Sequence, residues 1–195
     1  MALILLSLSW LAACGSTAPQ APPSSPSPGT VAPVGSPTAG SATAAAARPA
    51  WFDIRMTDVL TGQTFAMNDF AGKVVLVEAM AEWCPTCIEQ QREVQKLHDL
   101  LASSSEVVSV SLDIDVHEDA PSLKHYATSL GHAWHYAVAP LEVARALGNL
   151  YSAEYLNPPF SPMLLIDRGG VATSLPYGVK TADYLRATVE PLLTP

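Results

Sequence analysis

The chain has 195 residues, enough for one domain and a tail, and a formal net charge of −8, which argues against nucleic acid and other polyanions as partners. The first charged residue is Arg48, so all charge is carried from position 48 onward; the whole chain is 49% hydrophobic, and about half of the hydrophobic residues ahead of Arg48 are alanine. Of the three cysteines, Cys84 and Cys87 form a pair and Cys14 stands apart.

Residues 1–13 form a short apolar run ending Trp10-Leu11-Ala12-Ala13. A bilayer-spanning helix needs ~20 residues, whereas this run has the size of the apolar part of a secretory signal. Leu11-Ala12-Ala13-Cys14-Gly15 resembles the bacterial lipobox, which implies cleavage before Cys14 and a lipid on that cysteine. The sequence departs from the pattern in having no Lys or Arg before Cys14. An ordinary secretory signal with a chance cysteine is the alternative; both readings place the domain outside the cytoplasmic membrane. Pro, Ser, Thr, Ala and Gly dominate residues 15–47, which carry no charge. Such a segment buries too little apolar surface to offset the cost of ordering, and its prolines favour extended conformations. The predicted organisation is a signal at 1–13, a lipidated cysteine and linker at 14–50, and a globular domain at 51–195.

From Trp51 the composition becomes globular. Residues 51–56 alternate weakly and predict a strand, and Gly62 within Leu60-Thr61-Gly62-Gln63-Thr64-Phe65 predicts a hairpin turn. Val74-Val75-Leu76-Val77-Glu78-Ala79-Met80 is apolar and rich in β-branched residues, which predicts a buried strand interrupted by one carboxylate. From Ile88 to Leu101 the apolar positions recur at helical spacing, an amphipathic helix. Pro85 suits its first position, where a missing N–H costs nothing. Cys84 then sits exposed at the helix N-terminus, where unpaired amides and the helix dipole favour a thiolate. A strand, a cysteine at a helix start and a second cysteine one turn in make the layout of a dithiol redox centre. Half a zinc site and a structural disulfide are the alternatives; zinc needs four ligands and there is no second cysteine pair, so no metal is expected.

Ala81-Glu82-Trp83-Cys84-Pro85-Thr86-Cys87 resembles the active-site stretch of the thioredoxin superfamily. The long stretch before it, ending Gly72-Lys73, resembles the extracytoplasmic TlpA/ResA-like thiol-disulfide oxidoreductases. That resemblance implies a thioredoxin-like α/β fold of three layers, with a central mixed sheet and an N-terminal β extension. It also implies membrane anchoring and thiol-disulfide exchange through Cys84 and Cys87, flanked by Trp83, Pro85 and Thr86. The subgroup often carries Glu three residues after the second cysteine and Pro two further on; here Gln90 and Arg92 stand there. That departure weakens any transfer of the subgroup's substrates.

Further along, residues 107–112 predict a second strand, and the acidic run Asp113 to Asp119 predicts a loop whose last carboxylates cap the next helix. That helix runs from Pro121 to Leu130 and is ended by Gly131. Residues 134–138 predict a short strand, and Pro140 to Leu147 a helix ended by Gly148. Pro162, directly before Met163-Leu164-Leu165-Ile166, resembles the superfamily's cis-proline element, which implies a cis Ser161–Pro162 bond facing the cysteines. Pro158-Pro159 is a competing candidate that lies further from the strand. Val171 to Leu175 predicts an edge strand, and Thr181 caps a closing helix that reaches Leu193.

The resemblance implies that Cys84 attacks a partner disulfide and Cys87 resolves the mixed disulfide. Cys87 then needs a proton acceptor. Glu78 is the candidate, because burial raises a carboxyl toward the range useful to a base near neutral pH. It stands six residues before Cys84, where thioredoxins carry their buried acid; a solvated position at the strand end is the alternative. Glu82 and Trp83 are expected at the surface and packed beside the motif, respectively. No cofactor is expected beyond the redox-active cysteine pair. The expected partners are disulfide-bearing envelope proteins, a membrane electron donor for a monomer with no second cysteine pair, and the membrane itself through lipid on Cys14. A disulfide oxidase or isomerase, or a Cu(I) metallochaperone using the same two thiolates, are the competing functions.

Overall fold

The computed structural model describes residues 48–193, within the compact unit Thr43–Pro195. The signal, Cys14 and most of the linker lie outside the described residues.

A small antiparallel pair opens the fold: β1 (Met56–Thr57) and β2 (Thr64–Phe65), turned at Gly62 with φ 74°. The main sheet is built from β3 (Val74–Met80), β4 (Val107–Asp113), β5 (His135–Val138), β6 (Met163–Ile166) and β7 (Ala172–Ser174). Its order is β5-β4-β3-β6-β7; β4 runs parallel to β3 and β5, while β6 is antiparallel to β3 and β7. Four helices cover it: α1 (Pro85–Leu100), α2 (Ala120–Leu130), α3 (Leu141–Leu150) and α4 (Ala182–Val189).

Every residue of β3 is buried, because the strand is central and both sheet faces are covered. Alternate side chains therefore feed two cores. Val74, Leu76 and Met80 join Val94 and Leu97 of α1, Leu123 and Ala127 of α2, and Leu185 and Val189 of α4. Val75, Val77 and Ala79 join Val143 and Leu147 of α3 and the N-terminal aromatics. Glu78 shares the parity of the first set, so its carboxylate enters the core beneath α1. The caps follow their residue types: Asp119 accepts from Ser122 N at 2.9 Å, Thr181 accepts from Tyr184 N at 3.2 Å, and Gly131 ends α2 with φ 71°.

Two expectations are corrected. Residues 51–56 are not one strand: Ala50–Asp53 is a 3-10 turn and β1 starts only at Met56. Trp51 and Phe52 both enter the second core, edge to face at 4.7 Å, and consecutive strand residues cannot point the same way. Helix α3 runs through Gly148 to Leu150. A Cβ at that position would lie 2.9 Å from Leu156 Cδ1, so this glycine permits a close approach and does not end the helix.

Candidate active site

The end of β3 delivers the chain to Cys84, the N-cap of α1, with Pro85 at the first helical position. Cys84 Sγ accepts from Cys87 N at 3.2 Å, and its carbonyl accepts from Ile88 N at 3.2 Å. The two cysteines are joined by a disulfide across a Cα–Cα distance of 5.3 Å. The expected exposure of Cys84 is corrected, since both cysteines are 0% exposed. The 3-10 turn Pro158–Phe160 packs against the start of α1 and covers them. Thr86 Oγ1 donates to the Pro159 carbonyl at 3.2 Å while lying 3.3 Å from Cys84 Sγ. Cys87 Sγ lies 3.5 Å from the Pro158 carbonyl oxygen. Trp83 is not packed in; it is 56% exposed, with Nε1 donating to Asp115 Oδ2 at 2.6 Å.

The expected cis bond before Pro162 is also corrected: no peptide bond among the described residues is cis. Ser161 adopts a left-handed conformation, φ 45°, and this makes the reversal into β6. Pro162 is buried, and its carbonyl accepts from Ala79 N at 3.2 Å, so it extends the β3–β6 pairing. The carbonyls that meet Thr86 and Cys87 belong to Pro158 and Pro159 instead. The 3-10 turn folds these prolines back over the motif despite their distance from β6 in sequence.

Glu78 is 2% exposed. Its Oε2 accepts from Gln91 Nε2 at 3.2 Å and from Ser111 Oγ at 3.3 Å, Ser111 being its register partner on β4. Gln91 stands one helical turn after Cys87, so one helix carries both the disulfide and the amide that holds the acid. Gln91 Oε1 in turn accepts from Tyr126 OH at 2.9 Å and Tyr136 OH at 3.1 Å, and Ser111 Oγ accepts from Trp134 Nε1 at 3.0 Å. Glu78 Oε1 is buried and has no hydrogen-bond partner among the described residues. Burial pushes the carboxyl from 4.5 up to about 7, against the opposing effects of the Gln91 hydrogen bond, the Lys180 charge and the Ser111 hydrogen bond. Sequence reasoning missed Gln91, Ser111 and Lys180. The available signal was a polar residue on the apolar face of a periodic helix and a serine within an apolar strand.

A second group of acids lies beside the motif. One oxygen each of Glu82, Asp113 and Glu118 fall within 4.8 Å of one another. Glu82, expected at the surface, is half-buried: its N–H donates to Glu118 Oε2 at 2.8 Å, and its Oε1 accepts from Ser122 Oγ at 2.7 Å. Asp113 is fully buried; burial and the facing Glu118 and Glu82 carboxylates push its carboxyl well above the usual range. In its protonated form Asp113 relieves the repulsion of this group, and the group ties the turn before Cys84 to the start of α2.

Glu78 has a consequence for stability. Its folded-state pKa lies above the unfolded value, so its contribution is present below pH ~4.5 and is lost as pH rises to about 7, a range worth about 3 kcal/mol. Glu78→Gln should therefore gain about 3 kcal/mol on the wild type between pH ~4.5 and ~8 in urea denaturation of the oxidised proteins. A difference that stays flat over this range would show that Glu78 titrates as an ordinary carboxyl.

The chain matches no curated protein, but it shares its fold with solved structures. A thioredoxin-family thiol:disulfide interchange protein from Chlorobium tepidum TLS matches with TM-score 0.59 and 20% identity, over 72% of this chain and 93% of that one. A DsbF homologue from Corynebacterium diphtheriae matches with TM-score 0.59 and 17% identity, over 71% and 83%. A secreted Mycobacterium tuberculosis disulfide oxidoreductase, homologous to E. coli DsbE, matches with TM-score 0.54 and 17% identity, over 72% and 97%. At these identities the likeness is one of fold. The family model described as Redoxin matches residues 39–188, most of the chain and the whole of the sheet. With a thioredoxin-like fold and a CxxC disulfide at the head of its first helix, the chain belongs to the Redoxin family and is a thioredoxin-like oxidoreductase.

Proposed function

We propose that the protein is a thiol-disulfide reductase of the bacterial cell envelope, tethered to the membrane by lipid on Cys14 and acting on disulfides of partner proteins. The observation that carries this reading is the Cys84–Cys87 disulfide capping α1, with a buried base-competent carboxyl held from the same helix. The resemblance of Leu11-Ala12-Ala13-Cys14-Gly15 to a lipobox supports the anchor. The similar fold of proteins described as a thiol:disulfide interchange protein and as a secreted disulfide oxidoreductase supports the chemistry and the location. Among the described residues no helix is long and apolar enough to cross a membrane.

In the proposed cycle the Cys84 thiolate attacks one sulfur of the partner disulfide. That S–S bond breaks, the other partner sulfur leaves as a thiolate, and a mixed disulfide forms. Cys87 passes its proton to Glu78, and its thiolate attacks Cys84 Sγ. The partner's remaining sulfur leaves and takes up a proton. Two electrons have moved, the partner's two sulfurs are reduced as one thiol and one thiolate that takes its proton from water, and Cys84–Cys87 is a disulfide. A dithiol on a membrane protein resets it, and no other cofactor takes part. The N-cap position favours Cys84 as the nucleophile, because the amide of Cys87 already points at its sulfur and the helix dipole stabilises negative charge there. Cys87, facing the Pro158 carbonyl, is the resolving thiol; that carbonyl can accept the S–H proton but cannot remove it. Glu78 is the ionisable group suited to that task.

Three measurements test this reading. Cys87→Ser should accumulate mixed disulfides with envelope proteins on non-reducing gels, and Cys84→Ser should not; the reverse would exchange the roles of the two cysteines. The reduction potential of the couple, by equilibration with thiol buffers, should fall near the thioredoxin end of the range, about −270 mV. A value near about −120 mV would make the protein an oxidant instead. Labelled palmitate should enter the full-length chain and not Cys14→Ala, and equal labelling would remove the anchor from the proposal.

A further inference from the structure

The exchange reaction leaves the acids beside the motif without a task. Glu82 belongs to the turn after β3, Asp113 is the last residue of β4, and Glu118 lies in the loop before α2. Each has one oxygen engaged. Asp113 Oδ1 accepts from Asp115 N at 3.0 Å, Glu118 Oε2 from Glu82 N at 2.8 Å, and Glu82 Oε1 from Ser122 Oγ at 2.7 Å. The second oxygen of Asp113 is the exceptional one. The residue is 0% exposed, and its Oδ2 is buried with no hydrogen-bond partner among the described residues. Nor does a base answer the charge: the ion pairs among the described residues all involve other acids. A buried carboxylate oxygen with neither a donor nor a cation is costly, and two neighbouring carboxylates add to the cost.

A proton on Asp113 is one way to relieve the group, and a metal cation is the other. The donors are all oxygen, one from each acid, and they lie within 4.8 Å of one another. An all-oxygen set selects a hard cation, since softer metals take nitrogen or sulfur. Calcium holds its oxygens at ~2.3–2.6 Å, so two of them can stand up to ~5 Å apart across one ion. Magnesium, at ~2.0–2.1 Å and near-ideal octahedral geometry, needs every pair within ~4.2 Å. Glu82 and Glu118 are half-buried, which leaves a side from which water can complete the irregular shell that calcium accepts.

We propose that Glu82, Asp113 and Glu118 form a calcium site, with water in the remaining positions. The three oxygens come from separate segments, so no contiguous calcium loop reveals them in sequence. The ion neutralises Asp113 in place of a proton. It also ties the turn that enters Cys84 to the end of β4 and the start of α2. No cysteine takes part, so the site stands apart from the exchange reaction and does not rest on it.

The experiment is calorimetric titration of the oxidised, chelator-stripped protein with calcium chloride. The disulfide form leaves no thiolate to compete for metal, ionic strength is held constant to screen diffuse attraction, and a mildly alkaline pH weakens competition by protons. One ion should bind per chain with a Kd of about 10⁻⁴–10⁻³ M, and magnesium should bind at least about tenfold more weakly. Asp113→Asn and Glu118→Gln should each weaken calcium binding at least about tenfold. In the wild type, calcium should shift the amide NMR signals of Glu82, Asp115 and Ser122. Should Asp113→Asn fail to fold, Glu118→Gln decides the matter, because its amide oxygen can still accept from Glu82 N. No binding up to about 10 mM calcium, beyond the weakest of such sites, would overturn the proposal in favour of the proton. Equal affinity in the wild type and Glu118→Gln would overturn it too, by placing the ion elsewhere on this acidic chain. Equal affinity for magnesium would overturn the choice of calcium.

Discussion

One constraint shapes the rest: an acid has been placed in a strand with no wet face. β3 is covered on both sides, and position 78 falls on the side that packs beneath the disulfide helix. An unpaired carboxylate there would be prohibitive, so its neighbours are arranged to tolerate either protonation state. Gln91 and Ser111 donate to one oxygen, and two tyrosines and a tryptophan fix those donors. The result is a half-satisfied site. One oxygen has partners and the other has none among the described residues.

Much of the frame could be read directly from periodicity. The apolar run of β3 with its single carboxylate, the helical recurrence after Cys87 and the stop at Gly131 are local signals, and each appears where it was expected. The failures have a common origin in long-range packing. Trp51 and Phe52 are twisted off the strand path because both rings enter one core. Gly148 lies mid-helix because Leu156 arrives from a later turn.

The same division runs through the site. Cys84, Cys87 and Glu78 stood out because their residue types are conspicuous where they occur. The burial of Cys84 did not, since it depends on the Pro158–Phe160 turn, far along the chain. Nor did the trans geometry before Pro162, where a left-handed Ser161 does the turning. Lys180 was hidden most completely. In sequence it is a lysine in a polar connection beside Gly178 and Thr181, and only the Gln90 side chain, bonded to both its backbone groups, draws it inward.

The Trp51–Phe52 wedge has a mechanical consequence. These rings lock the start of the domain beneath α3, on the sheet face opposite the one that holds the cysteines. A pull on the polypeptide ahead of Arg48 is therefore borne by two aromatic anchors and the α3 side of the sheet. β3, which positions the disulfide, belongs to the same cluster through Val75, Val77 and Ala79 and backs these rings from within the sheet. The start of the domain and its reactive cysteines are thus held on opposite faces of one sheet.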